Sequence, residues 1–298
     1  MLVGSSQLDY DELFRKLWRE IFQFERAFSR FVPASELSMF NKNAGLPTKV
    51  TAAFLGLLLA SEQMSQRTRG LHNPFILPSL QRTGYYRSAQ PGYETDVIDD
   101  FRHRKTVLPE ALDIADDIVT IPHGSAIDMG GCGKGYLLDQ LSKTLSPAQL
   151  DGYWLSLSGD MLTYGNDEAG EPWRVEIQSS SGENELPAIQ TDGMITAIAT
   201  SGTFRRAPHK KNDTNWHHII DPRTGFSAET DVKLATVVAD SALVADTLAS
   251  SAVIVGDLKA RLLLEADKSV RGYVLQTTRG IVRSNDVFTA KRMGSYVA

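Results

Sequence analysis

Between residues 117 and 239 the chain carries a series of short strand-like runs: DIVTI (117–121), YWLSLS (153–158), WRVEIQ (173–178), ITAIAT (195–200) and LATVVA (234–239). Helix-like stretches fall among and after them, at 135–145, 241–255 and 257–266. The two kinds of element alternate irregularly, and no internal repeat is visible. A doubly wound parallel sheet needs a regular strand–helix period, so this pattern predicts an α+β fold. No linker divides the 298 residues, which read as one domain over 1–298.

The N-terminal third reads as helical. Phe14, Leu17, Trp18, Ile21, Phe24 and Phe28 recur at helical spacing, which predicts an amphipathic helix over 9–28. A second helix is expected over 51–67, with Thr51 as its N-cap and Leu57, Leu58 and Leu59 in the core. Residues 84–106 are polar, contain Pro91-Gly92, and read as loop with short strands; QSSSGENEL (178–186) reads as a hairpin or loop.

Charge and composition narrow the function. A net charge of −5 disfavours nucleic acid as the main partner, since phosphate backbones need a basic surface. The single cysteine, Cys132, excludes an intramolecular disulfide. The first residues lack the basic segment and apolar core of a signal peptide. The longest apolar run, AAFLGLLLA (52–60), is far short of the about 18 residues a membrane span needs, so no span and a cytoplasmic location are expected.

Residues 126–140, AIDMGGCGKGYLLDQ, place Gly130, Gly131, Gly133 and Gly135 around Lys134, with Asp128 just before. Glycine is poor in helices and strands, so such a cluster signals close approach of backbone to something else. It is neither of the common phosphate loops. A P-loop needs a hydroxyl residue after the lysine, where Gly135 stands, and the dinucleotide fingerprint fails at its third glycine. A helix N-terminus with Lys134 beside it is nonetheless a good anion site. Four further segments bear on the chemistry: SLSGDMLTYG (156–165), AIATSGTFRR (197–206), HHIIDPRTG (217–225) and VADTLASSAVIVG (244–256). The last sets Asp246 and Ser250 four apart, on one helix face.

In this order, DMGGCGKGYLLD, ATSG, HHIIDPRTG and ADTLASS, together with SELSMFN (35–41), resemble the FAD:protein FMN transferases of the ApbE family over roughly residues 20–260. The resemblance implies a T-fold-like domain of mixed or antiparallel sheets with packed helices. It implies binding of FAD and Mg²⁺ and transfer of FMN to a threonine hydroxyl of a partner flavoprotein, with release of AMP. It also implies site residues. Asp128 and Lys134 contact FAD, Ile220 makes a backbone contact to the flavin nucleotide, and Phe31 stands where a tyrosine commonly stacks. Leu71, His72 and Asn73, in GLHNPF (70–75), line the pocket where the family has G-A-[FM]-D. The Gly131 carbonyl, Asp246 and Ser250 hold Mg²⁺, Ser250 replacing the usual threonine. His218 is the base, a role suited to imidazole's ordinary pKa, while His217 points elsewhere on an extended segment. The family's N-terminal strand is reduced here to MLVGSS. Two alternatives share these residues: an FAD pyrophosphatase giving FMN and AMP, and a non-catalytic FAD-binding protein.

Overall fold

The computed structural model describes residues 1–82, 85, 112–179, 186–203, 217–284 and 288–289. The loop expected at 84–106, apart from Tyr85, and positions 180–185 of the expected loop at 178–186 lie outside these residues. The centre is a seven-stranded sheet: β1 (Leu2–Val3), β2 (Gly152–Leu157), β3 (Asp160–Gly165), β4 (Thr196–Gly202), β5 (Val232–Ala239), β6 (Val270–Thr277) and β7 (Gly280–Arg283). Its spatial order follows its sequence order, and every neighbouring pair is antiparallel. The described helices are α1 (Tyr10–Phe28), α2 (Glu36–Lys42), α3 (Ala52–Arg67), α4 (Leu77–Arg82), α5 (Gly133–Leu145), α6 (Ala242–Val255) and α7 (Asp257–Glu265). The irregular alternation therefore resolves as α+β, as the sequence predicts.

The central strands are buried on both faces. In β4, Ala197 and Ala199 face the helices while Ile198 faces a second cluster formed with Val175, Ile177, Leu186 and Ile189. In β5, Ala235, Val237 and Ala239 face the helices, and Leu234 and Val238 face away. The period of two along a pleated strand explains why LATVVA reads as a continuous apolar run. On the helix face the strands present mainly alanine. α6 turns Ala245, Ala249 and Ala252, all fully buried, into the same cluster. Small residues on both sides bring α6 close to the sheet, and α5 packs beside it.

Local signals set the helix starts. Asp9, Ser35 and Thr51 each accept a hydrogen bond from the backbone N–H three residues on, at the N-caps of α1, α2 and α3. Two details depart from the sequence reading. Leu57 and Leu58 are buried but Leu59 is 47% exposed, because three consecutive helical residues cannot share one face. On α1, Leu17 and Phe28 are buried, whereas Phe14, Trp18 and Phe22 remain exposed. The apolar stripe is wider than the face that α1 packs against α2 and α5. At the N-terminus β1 is a two-residue strand paired with β2.

Candidate active site

The glycine cluster leads into α5, whose N-cap residue Cys132 supplies no side-chain cap. The cap comes from α6 instead. The backbone N–H of Gly135 donates to the Asp246 carboxylate at 3.2 Å. This arrangement requires Gly135 to lack a side chain. A Cβ there would lie 2.3 Å from the Ala242 carbonyl oxygen and 2.7 Å from the Leu243 Cα. One glycine of the cluster thus serves helix–helix contact, and an internal carboxylate takes the anion position at this point of the helix N-terminus.

Lys134 sits between two buried carboxylates. Its Nζ lies 3.1 and 3.3 Å from the two Asp246 oxygens and 2.7 Å from Asp160 Oδ2. Asp160 is set by a tight turn. Leu157 and Asp160 close the β2–β3 hairpin around Ser158 and Gly159, both at positive φ, as a two-residue primed turn requires. Its other oxygen accepts from the Thr200 N–H at 3.3 Å, and Thr200 in turn bonds the Thr236 hydroxyl. Burial opposes the Lys134 charge, but the two carboxylates outweigh it and raise its pKa above the ordinary lysine value. Burial pushes Asp246 up to about 6; Asp160 adds to this, and Lys134 pulls the other way. Cys132 is fully buried, and burial together with the Asp246 charge pushes its thiol up to about 12, so it is no nucleophile.

A second group of residues surrounds Arg30. This arginine is 7% exposed, and its Nε pairs with Asp128 at 3.1 Å. The Asp128 carboxylate also accepts the Gly130 N–H, and the Asp128 N–H donates to the Pro74 carbonyl. The Arg30 guanidinium lies 4.4 Å from the Phe31 ring centroid and 4.6 Å from that of Tyr85. These two rings meet edge to face, and Tyr85 continues to His218, with 6.2 Å between ring centroids. Phe31, Asp128 and His218 are thereby joined through Arg30 and Tyr85, neither of which the sequence reading named.

The remaining predicted residues take diverse positions. Asn73 accepts the Phe75 N–H through its side chain and so fixes the turn whose Pro74 carbonyl accepts the Asp128 N–H. Leu71 is half-buried against the main core. His72 is buried, bonded through Nε2 to the Ser61 hydroxyl, and burial lowers its pKa to about 4. Its Nδ1 comes within 3.5 Å of where a Cβ on Gly131 would stand. Ile220 is buried in the short ladder Ile220–Asp221/Phe226–Ser227. His217 is locked there: Nδ1 accepts the Ile219 N–H and Nε2 lies 3.0 Å from the Ala228 carbonyl. These bonds fix a neutral tautomer with its proton on Nε2, whereas His218 beside it is half-exposed and meets Tyr85.

No group of three or more His, Cys, Asp or Glu side chains able to hold a metal occurs among the described residues. Such a group suits zinc more than magnesium, which takes one or two carboxylates plus water and phosphate oxygens. Asp246 and Ser250, one turn apart on α6, are hard oxygen donors of that kind. The Asp246 carboxylate pairs here with the Lys134 ammonium. The Ser250 hydroxyl meanwhile donates within its own helix, to the carbonyls of Asp246 and Thr247. The donor set fits Mg²⁺.

A model of the ApbE family matches residues 5–274, and the chain belongs to that family. A Treponema pallidum protein named FAD:protein FMN transferase is 28% identical over 247 residues, covering 77% of this chain and 67% of that one. The fold matches the Thermotoga maritima ApbE protein at a TM-score of 0.81 with 21% identity, over 95% of this chain and 92% of the other. It matches the Vibrio cholerae flavin transferase ApbE at 0.78 with 22% identity, over 95% and 91%. No helix among the described residues is long and apolar enough to cross a membrane.

Proposed function

We propose that this chain is a Mg²⁺-dependent FAD:protein FMN transferase, which moves FMN from FAD to a threonine hydroxyl of an acceptor flavoprotein and releases AMP. The observation that supports this best is the cluster of Lys134 with the buried Asp246 and Asp160, within one loop of Asp128 and the aromatic group leading to His218. In the reaction the threonine oxygen bonds to the FMN-side phosphorus. The bond from that phosphorus to the bridging oxygen breaks, and AMP leaves with the electron pair. The hydroxyl proton passes to the His218 imidazole, for which His217, bonded on both ring nitrogens, is no substitute. Lys134 donates a charge-assisted hydrogen bond to a pyrophosphate oxygen. A bound Mg²⁺, held by Asp246, Ser250 and the Gly131 carbonyl, supplies further neutralisation of the phosphate charge. Phe31 and the Arg30–Asp128 pair form the wall against which the flavin nucleotide packs.

Incubation with FAD, Mg²⁺ and a candidate acceptor, followed by mass analysis, tests the reading. The acceptor gains one FMN if it is right. FMN and AMP without a modified acceptor make the chain a pyrophosphatase, and intact FAD makes it a binder. His218→Ala should slow transfer by about 10²–10⁴ with little change in FAD binding or melting temperature, whereas His217→Ala should chiefly lower melting temperature.

A further inference from the structure

We propose that Asp160 is the positioning residue that takes over Lys134 when a divalent cation occupies Asp246. This rests on the reading of Asp246 as a cation ligand. Without a metal, the Lys134 ammonium is within 3.3 Å of both Asp246 oxygens, and one of these also accepts the Gly135 N–H. A divalent ion bonded to the same carboxylate would stand in direct repulsive contact with the ammonium. Lys134 must leave Asp246 for the ion to enter.

It has somewhere to go. Asp160 Oδ2 is already its shortest contact, at 2.7 Å, and belongs to a carboxylate that cannot follow a cation. The tight turn at Ser158-Gly159 and the Thr200 N–H hold Asp160 in place. The Lys134 side chain is 34% exposed while both carboxylates are 5% exposed, so the lysine is the least enclosed of the three. Moved onto Asp160, the ammonium stays beside the phosphate-binding region without opposing the ion. Asp160 therefore sets cation affinity through Lys134.

Mn²⁺ binding to the FAD-free protein, followed by electron paramagnetic resonance, tests this without reference to turnover. Asp160→Asn should weaken Mn²⁺ binding by about tenfold, because the ammonium stays on Asp246; the same change in a Lys134→Met background should alter it by less than about twofold. Lys134→Met alone should tighten binding. Asp160→Glu should restore most of the lost affinity. An equal loss from Asp160→Asn in both backgrounds would mean a plain through-space charge effect and overturn the proposal, as would no loss in either. Melting temperatures separate misfolding from the effect, and if Asp160→Asn folds poorly Asp160→Ser takes its place in both backgrounds, with the same outcomes expected and excluded. If Asp246→Ala binds Mn²⁺ as well as the unaltered protein does, the metal-ligand reading itself falls. If Asp246→Ala loses Mn²⁺ but the coupling is absent, only the role of Asp160 falls.

Discussion

Gly135→Ala isolates what the glycine cluster does for the fold. A methyl group at this position would stand 2.3 Å from a backbone carbonyl oxygen of α6, where ordinary contact begins at 3.4 Å. The obstacle is backbone, so no side chain can swing aside, and α5 and α6 must separate by about 1 Å in an interior packed like a crystal. Overpacking of this kind costs about 1–3 kcal/mol, and a backbone obstacle puts Gly135 at the upper end. Alanine's better helix propensity returns less than about 1 kcal/mol in a first turn. A net loss of about 2–3 kcal/mol follows, or roughly 5 °C in melting temperature for a chain of this size. Because α5 carries Lys134 and α6 carries Asp246, the same separation stretches the ion pair and the Gly135–Asp246 bond, so FAD cleavage should fall more steeply than stability. Gly131→Ala is the control: its Cβ would meet only the His72 ring at 3.5 Å, and its backbone is not at positive φ. It should melt within about 1 °C of the unaltered protein. Calorimetry and an FAD cleavage assay on the pair decide the matter. A Gly135→Ala protein as stable and active as the original would refute the close-packing explanation, and equal losses in both variants would show that the cluster answers to flexibility instead.

Two further outcomes follow from the same geometry. Asp139 on α5 accepts hydrogen bonds from the Ser241 hydroxyl and the Ala242 and Leu243 N–H groups, at 2.7–3.0 Å, and so caps the helix that carries Asp246. Asp139→Ala should lower stability by about 1–3 kcal/mol in chemical denaturation, and an unchanged midpoint would show that water replaces the cap. His72 has a folded pKa of about 4, below its ordinary 6.5, because burial disfavours the imidazolium. Its neutral form stabilises the fold fully above pH 6.5, and this contribution is lost as pH falls from 6.5 towards 4, up to about 3 kcal/mol. Stability measured across that window should fall less steeply in His72→Gln, and parallel slopes would refute the assignment.

The parts of the fold that depend on neighbours in sequence were legible. The caps at Asp9, Ser35 and Thr51 act over three residues, and the five helices and five strand runs the sequence predicts begin within about two residues of their expected places, whereas α2, α4 and the strands β1, β3, β6 and β7 had no expected place. What escaped depends on distant partners. Arg30, two residues past the end of α1, is buried because Asp128, far along the chain, neutralises it. Leu59 and the Trp18 face of α1 read as core because apolar periodicity reports how many residues are apolar, not how wide a neighbour will cover them.

The lysine–dicarboxylate cluster shows the same limit at the site. Asp160 stood in view at the end of a strand, in SLSGDMLTYG, yet no spacing links it to Lys134 or Asp246. The link is made by topology. The hairpin between β2 and β3, the N-terminus of α5 and the second turn of α6 meet on the helix-covered side of one sheet. The rule that a helix N-terminus attracts an anion was sound, but the sequence could not say whose anion. At Gly135 it is the Asp246 carboxylate, which also pairs with Lys134 beside it. A chain that kept the glycines and Lys134 but lost either aspartate would still carry the motif. It would lack the paired charges that hold the ammonium ready, and a motif match alone would not reveal the loss.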